Sequence, residues 1–190
     1  MATSTIRTVD PTSTPISLSD LKDHLRIYDT TEFDSQLTNV LNAAILQVER
    51  ATGRALITQT WEMRLDKFSK SIKVPHPPLQ SVTSIQYQDV NDAQQTLGTS
   101  YYTVDTSSQP GRIVEAYNYS YPDTYSDIDA VLITFVAGYG DAEDVPEPLK
   151  FAIRFFAEKM WDNPDGTYGG ALDNSLDAMI TNYRIDGIAL

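Results

Sequence analysis

Within nine residues, Gly53-Arg54-Ala55-Leu56-Ile57-Thr58-Gln59-Thr60-Trp61, the hydrophobic period of this chain changes from that of a helix to that of a strand. Upstream, Phe33, Leu37, Val40, Leu41, Ala44, Ile45 and Val48 recur at spacings of three and four. That stripe predicts an amphipathic helix over residues 31–52, opened by Asp29-Thr30-Thr31-Glu32. Gly53 stands at the position after the last turn, where a residue at positive φ commonly ends a helix. Downstream, Ile57, Trp61, Met63 and Leu65 alternate with Thr58, Thr60, Glu62, Arg64 and Asp66. A helical layer therefore hands over directly to a β-rich segment.

The same reading extends in both directions. Ser17 and Asp20 have capping-box spacing, with Ile16 and Leu21 at the staple positions; Leu18, Leu21 and Leu25 continue a short helix to about Ile27. Candidate strands follow at 56–66, 71–74, 81–89, 94–97, 101–105, 112–115 and 130–136. Residues 90–93 and 109–112 have turn chemistry. Val74-Pro75-His76-Pro77-Pro78-Leu79 lacks three backbone donors, so it belongs at an edge or outside a sheet. Residues 130–136 are nearly all apolar and are expected to be buried on both faces. A third helix starts near Pro146 and is apolar over much of its girth, through Leu149, Phe151, Ala152, Ile153, Phe155, Phe156, Met160 and Trp161. Such a helix is buried or meets a partner chain. A last short helix is expected from Asn174 to Tyr183. The predicted class is α+β: about four helices form a core, with a β-rich insert between the second and third long helices. The expected divisions are 1–15, a Ser/Thr/Pro-rich disordered arm that is no signal peptide; 16–55 with 138–183, the helical core; 56–137, the insert; and 184–190, a terminal tail.

Charge and chemistry narrow the function. The 190 residues carry a net charge of −12 and no cysteine. Disulfides, thiolate metal sites and cysteine nucleophiles are excluded. Acidic excess is spread along the chain, so there is no basic footprint for gripping nucleic acid. No apolar run approaches the roughly 20 residues that span a bilayer. His24 and His76 have no partner at ligand spacing. Asp162-Asn163-Pro164-Asp165-Gly166 has proline where a calcium ligand belongs and no closing glutamate, and reads as a turn. Gly138-Tyr139-Gly140 lacks the rest of a dinucleotide fingerprint. No catalytic, cofactor-binding or metal-binding residues are assigned. Tyr117, Tyr119, Tyr121 and Tyr125, with Asp123, Asp127 and Asp129, form a Tyr-rich segment. It reads as a hairpin loop, as a wet protein or sugar-binding surface, or, through its aspartates, as a hydrolase site.

Three blocks then carry a resemblance: residues 16–26; residues 53–61 with Pro77-Pro78-Leu79-Gln80-Ser81-Val82; and Phe135-Val136-Ala137-Gly138-Tyr139-Gly140 with Val145-Pro146-Glu147-Pro148-Leu149-Lys150. In this order and spacing the chain resembles the head–tail connector (head completion or adaptor) proteins of long-tailed bacteriophages, prophages and gene transfer agents. The resemblance implies a structural virion protein, not an enzyme, without cofactor. It would form a ring, a dodecamer on the portal protein, in the virion neck, after assembly in the host cytoplasm. That ring would extend the DNA channel and hold a stopper or tail-completion protein. DNA would pass through the acidic lumen without sequence-specific binding. By the same resemblance Tyr183, Arg184, Ile185, Ile188 and Leu190 are candidate portal contacts. Phe151, Phe155, Phe156, Met160 and Trp161 are candidate subunit contacts, and the four tyrosines a candidate tail-side or ligand surface. The alternative is a β-rich module that binds a carbohydrate or host surface through the Tyr-rich loop.

Overall fold

The computed structural model describes residues 3–164 and 178–185. It is a mixed α+β chain in two compact units: Met1–Thr12 with Thr58–Tyr139, and Ser13–Ile57 with Gly140–Leu190.

The first unit is built from antiparallel strands. β1 (Thr3–Val9), β2 (Gln59–Leu65), β4 (Leu79–Gln88), β5 (Gln94–Thr96) and β8 (Val131–Ala137) form one sheet in the order β1-β2-β8-β4-β5. β3 (Ser71–Lys73), β6 (Tyr102–Asp105) and β7 (Arg112–Glu115) form a second, in the order β3-β7-β6. Register explains the core. Met63 faces Ile133 across β2 and β8, and Ile133 faces Ile85 across β8 and β4; all three are fully buried. Cross-strand rows of this kind are the stabilising unit of a sheet. Ile72 and Ile113 make the corresponding buried pair in the smaller sheet. The β4–β5 turn is closed by Asp89, whose Oδ1 accepts from the Asn91 and Ala93 amides at 2.9 and 3.1 Å.

Two expectations are corrected in this unit. Residues 3–9 of the expected disordered arm form β1, paired with β2 from Thr3 opposite Leu65 to Val9 opposite Thr60. The β2 edge satisfies the backbone groups that a Ser/Thr-rich segment cannot satisfy alone. β8 is also not buried on both faces: Val131, Ile133, Phe135 and Ala137 are buried, while Leu132, Thr134 and Val136 are only half-buried. One face of the sheet carries the core, as is common for antiparallel sheets.

The second unit is helical. α1 (Leu18–Leu25) opens with the capping box in place: the Asp20 amide donates to Ser17 Oγ at 3.0 Å, and the Ser17 amide to Asp20 Oδ2 at 2.9 Å. It stops two residues before Ile27 because Arg26 turns left-handed, at φ +58°. α2 (Asp34–Thr52) buries Leu37, Leu41, Ala44 and Val48, and ends at Gly53 with φ +69°. α3 (Glu147–Asp162) packs on α2 and buries Leu149, Ala152, Ile153 and Ala157. Trp161 meets Phe33 edge-on, with ring centroids 5.7 Å apart. Residues 178–180 are helical, and Thr181–Tyr183 form a single 3-10 turn. The expected helix start at Asn174 lies outside the described residues, as do Asp165 and Gly166.

Candidate functional site

Three surfaces carry the candidate contact residues, and each belongs to one unit.

The first is the flank of α3. Its period-3.6 stripe faces α2, and the remaining apolar residues lie beside it. Phe155, Phe156, Met160 and Trp161 are half-buried, and Phe151 is 47% exposed. Phe151 lines a shallow, largely apolar hollow with Pro148 and Met179, rimmed by Glu147 and Arg154. Glu147 accepts from Lys150 at 3.1 Å and Arg154 at 3.3 Å. The Lys150 hydrogen bond is the main cause that holds its carboxyl below the usual range.

The second is the C-terminal segment. Ile180 is fully buried and anchors it. From there the backbone is tied to the end of α2. Arg54 Nε donates to the Tyr183 carbonyl, and the Ile185 amide donates to the Thr52 carbonyl at 3.1 Å. Gly53 matters here for its conformation: a Cβ would sit 3.9 Å from Ile185 Cβ, an ordinary contact, but φ +69° disfavours any side chain. The helix-to-strand junction therefore also holds the strand of chain that leads to the tail. Tyr183 and Ile185 are half-buried and Arg184 is exposed. Ile188 and Leu190 lie outside the described residues.

The third is the Tyr-rich segment between β7 and β8, and the structure divides its tyrosines. Tyr117 is 90% exposed, Tyr119 46% and Tyr125 40%. Tyr121 instead stacks on Phe68, with centroids 4.7 Å apart and planes 13° from parallel. Its amide donates to Glu115 Oε1 at 3.1 Å, and burial pushes its phenol up to about 12. Tyr121 is thus a pin for the loop. Tyr101, which sequence reasoning did not single out, meets Tyr119 at 5.0 Å. The sequence places Tyr101 at the head of the candidate strand 101–105, whereas in the structure it closes a 3-10 turn, Thr99–Tyr101, before β6. Asp123, Asp127 and Asp129 are exposed. Asp129 lies 3.8 Å from Arg64, and Asp127 Oδ1 accepts from the Ile128 amide at 2.7 Å. The three do not form the enclosed acid pair that hydrolysis of a glycosidic bond requires.

The histidines lie in different units. His24 Nε2 is 3.1 Å from Glu158. His76, at φ +57°, stacks on Trp61 at 3.9 Å, with Thr5 Oγ1 at 3.5 Å. Burial, then the charge of Arg7, depresses its pKa to about 4. Among the described residues no group of three His, Cys, Asp or Glu is placed to hold a metal ion, and no helix is long and apolar enough to cross a membrane.

This fold has close counterparts among solved structures. A chain in the neck of an empty GTA particle, computed with C6 symmetry, superposes with a TM-score of 0.83 at 22% identity, covering 98% of this chain and 97% of that one. A chain in the virion of a native gene transfer agent (GTA) particle gives 0.80 at 20% identity, with 97% of each chain covered. A chain in the neck of a native GTA particle, computed with C12 symmetry, gives 0.76 at 23% identity, covering 100% of this chain and 98% of that one. No curated protein sequence matches significantly. The sequence model for phage gp6-like head-tail connector proteins matches residues 15–129, more than half of the chain, and the chain belongs to that family.

Proposed function

We propose that the protein is a structural component of the neck of a phage or phage-like particle, a ring adaptor beneath the portal protein. The observation that carries this reading is the connector-family match over residues 15–129, supported by a shared fold with neck chains along nearly the whole length. The helical unit forms the ring, a dodecamer on the portal. The ring lengthens the DNA channel and supplies the platform for a stopper or tail-completion protein. The protein acts by binding and has no enzymatic turnover. It joins the particle during assembly in the host cytoplasm.

The residues support named roles. Phe151 and the half-buried Phe155, Phe156, Met160 and Trp161 on α3 contact the neighbouring subunit. In a ring each subunit uses two different patches, so an exposed apolar flank on one helix needs only one complementary surface on its neighbour. Tyr183, Arg184 and Ile185, with Ile188 and Leu190, contact the portal. The tie of the Tyr183 and Ile185 backbone to Arg54 and Thr52 gives that segment a fixed point of departure. A net charge of −12 favours a lumen that repels the DNA backbone, so that DNA slides without adhering.

The test is co-sedimentation with DNA-filled, portal-bearing heads that lack the protein. The full chain is expected to travel with the heads. A chain deleted for residues 184–190 is expected to remain free while keeping its circular dichroism and a cooperative melt, lowered only by loss of the hydrogen bond from the Ile185 amide to Thr52. A deleted chain that still binds heads removes the C-terminal docking role.

A further inference from the structure

We propose that the outer face of α2 receives the α3 flank of a second copy of this chain, with Leu46 entering the neighbour's hollow beside Phe151. This rests on the ring reading above and deepens it: it names the surface that meets the α3 flank.

Helical spacing places the two faces. The buried residues of α2, Leu37, Leu41, Ala44 and Val48, step by four, three and four. Ser35, Asn39, Asn42 and Leu46 repeat those steps two residues earlier, about 200° round the helix, and so lie on the side turned from the core. All four are exposed, Leu46 by 43%. Phe151 stands in the same relation to α3: it is two residues from Leu149 and two from Ile153, both buried. Among the described residues of the helical unit, Tyr28, Leu46 and Phe151 are the large apolar side chains left exposed. Leu46 and Phe151 mark two different faces of one unit, which is what a head-to-tail ring contact needs.

Charge selects a second copy as the occupant. From Ser35 to Val48 α2 carries no charged residue, in a chain of net charge −12. The carboxylates that bracket this stretch are engaged within their own unit: Asp34 pairs with Lys22 at 2.7 Å, and Glu49 accepts from the Leu56 amide at 3.0 Å. The solvent face of a helix is ordinarily polar and charged. Ser and Asn are weaker helix formers than Lys or Glu, so the stripe gives up helix stability for an uncharged surface. Copies of an acidic chain repel, and like charges set against each other across a contact are costly. An uncharged face lets two copies approach, whereas nucleic acid or a basic segment would find no counter-charge on it. The hollow supplies the complement. Pro148, Phe151 and Met179 line it with apolar surface, and its rim charges, Glu147 and Arg154, pair with each other at 3.3 Å.

The chain has no cysteine, so an introduced pair reports one contact. The full-length variant carrying Asn42→Cys and Met179→Cys keeps both Leu46 and Phe151. It is bound to DNA-filled, portal-bearing heads that lack the protein, treated with a short bismaleimide, and run on a denaturing gel. The double variant is expected to give a ladder of covalent multimers, and each single variant to stay monomeric. Leu46→Glu sets a carboxylate in the contact at an exposed site. It is expected to keep the wild-type circular dichroism and melt but to occupy heads at least about tenfold less. A double variant that docks like wild type without forming a ladder overturns the proposal. So do covalent dimers from Asn42→Cys alone, which would mean that two α2 faces meet each other, and a Leu46→Glu chain that docks like wild type. Wild-type chain that never reaches the heads removes the connector reading, and this contact with it.

Discussion

Replacing His76 with asparagine should make the protein less stable at neutral pH and more stable in mild acid. His76 sits at φ +57° in the Pro-rich connection before β4, stacked on Trp61 and next to Thr5 of β1. Asparagine tolerates that left-handed backbone, so the change removes the ring without forcing strain. Loss of the stack costs about 1 kcal/mol at pH 7, where the ring is neutral in both folded and unfolded chains. The folded pKa is depressed, from an ordinary 6.5 to about 4. As pH falls through 6.5 the unfolded chain takes up a proton that the folded chain refuses. The native state therefore loses stability between pH 6.5 and pH 4, by about 2 kcal/mol at pH 5 and about 3 kcal/mol at the limit. The asparagine variant lacks this loss, so the two stability curves should cross between about pH 5 and pH 6. Urea denaturation, followed by Trp61 fluorescence in a Trp161→Phe background, reads the strand unit directly. All other acidic groups titrate equally in both proteins and cancel from the difference. A stability difference that stays constant from pH 7 to pH 4.5 would refute the reasoning, because it would mean that His76 protonates freely in the fold.

Two further substitutions test the packing. Phe135→Ala empties a fully buried site on β8 and should cost about 3–5 kcal/mol, seen as a lower urea midpoint with unchanged slope. Gly140→Ala places a Cβ 2.3 Å from Asp144 Oδ2 at φ +135°, and disturbs the reciprocal cap between Asp141 and Asp144. It should lower stability by about 1–3 kcal/mol, and a melting temperature equal to wild type would show that the loop relaxes freely.

Much of this architecture follows from local rules that a sequence displays. Ser17 and Asp20 signal a helix start by spacing alone, and the geometry needs no tertiary help. Leu37, Leu41, Ala44 and Val48 mark the buried stripe of α2 in the same way. Strand β1 is different. Five of the seven residues in Thr-Ser-Thr-Ile-Arg-Thr-Val are β-branched, which is a strand signal. The segment has too little apolar surface to fold alone, and its composition mimics disorder. Only the free edge of β2, distant in sequence, makes it a strand. The β8 burial pattern was hidden for the opposite reason. Leu132 and Val136 are apolar but lie on the less buried face, and hydrophobicity alone does not reveal which face of a sheet is covered.

The contact surfaces were legible as residue types and not as geometry. The four tyrosines stand out by composition, yet pairing Tyr121 with Phe68 spans 53 positions and divides them into one pin and three exposed rings. The anchoring of Tyr183 by Arg54 spans 129 positions, and no local pattern announces it. Arg54 could be noticed only as a cation beside the helix-ending glycine, where a lysine or arginine near the last carbonyls is common.

The most direct test of the connector reading is electron cryomicroscopy of portal-bearing, DNA-filled heads that lack this protein, imaged before and after the purified chain is added. A new closed ring is expected beneath the portal, with the helical unit around the channel and the C-terminal segment against the portal. Heads that remain unchanged, with the chain free in solution at concentrations well above that of the portal, would contradict it.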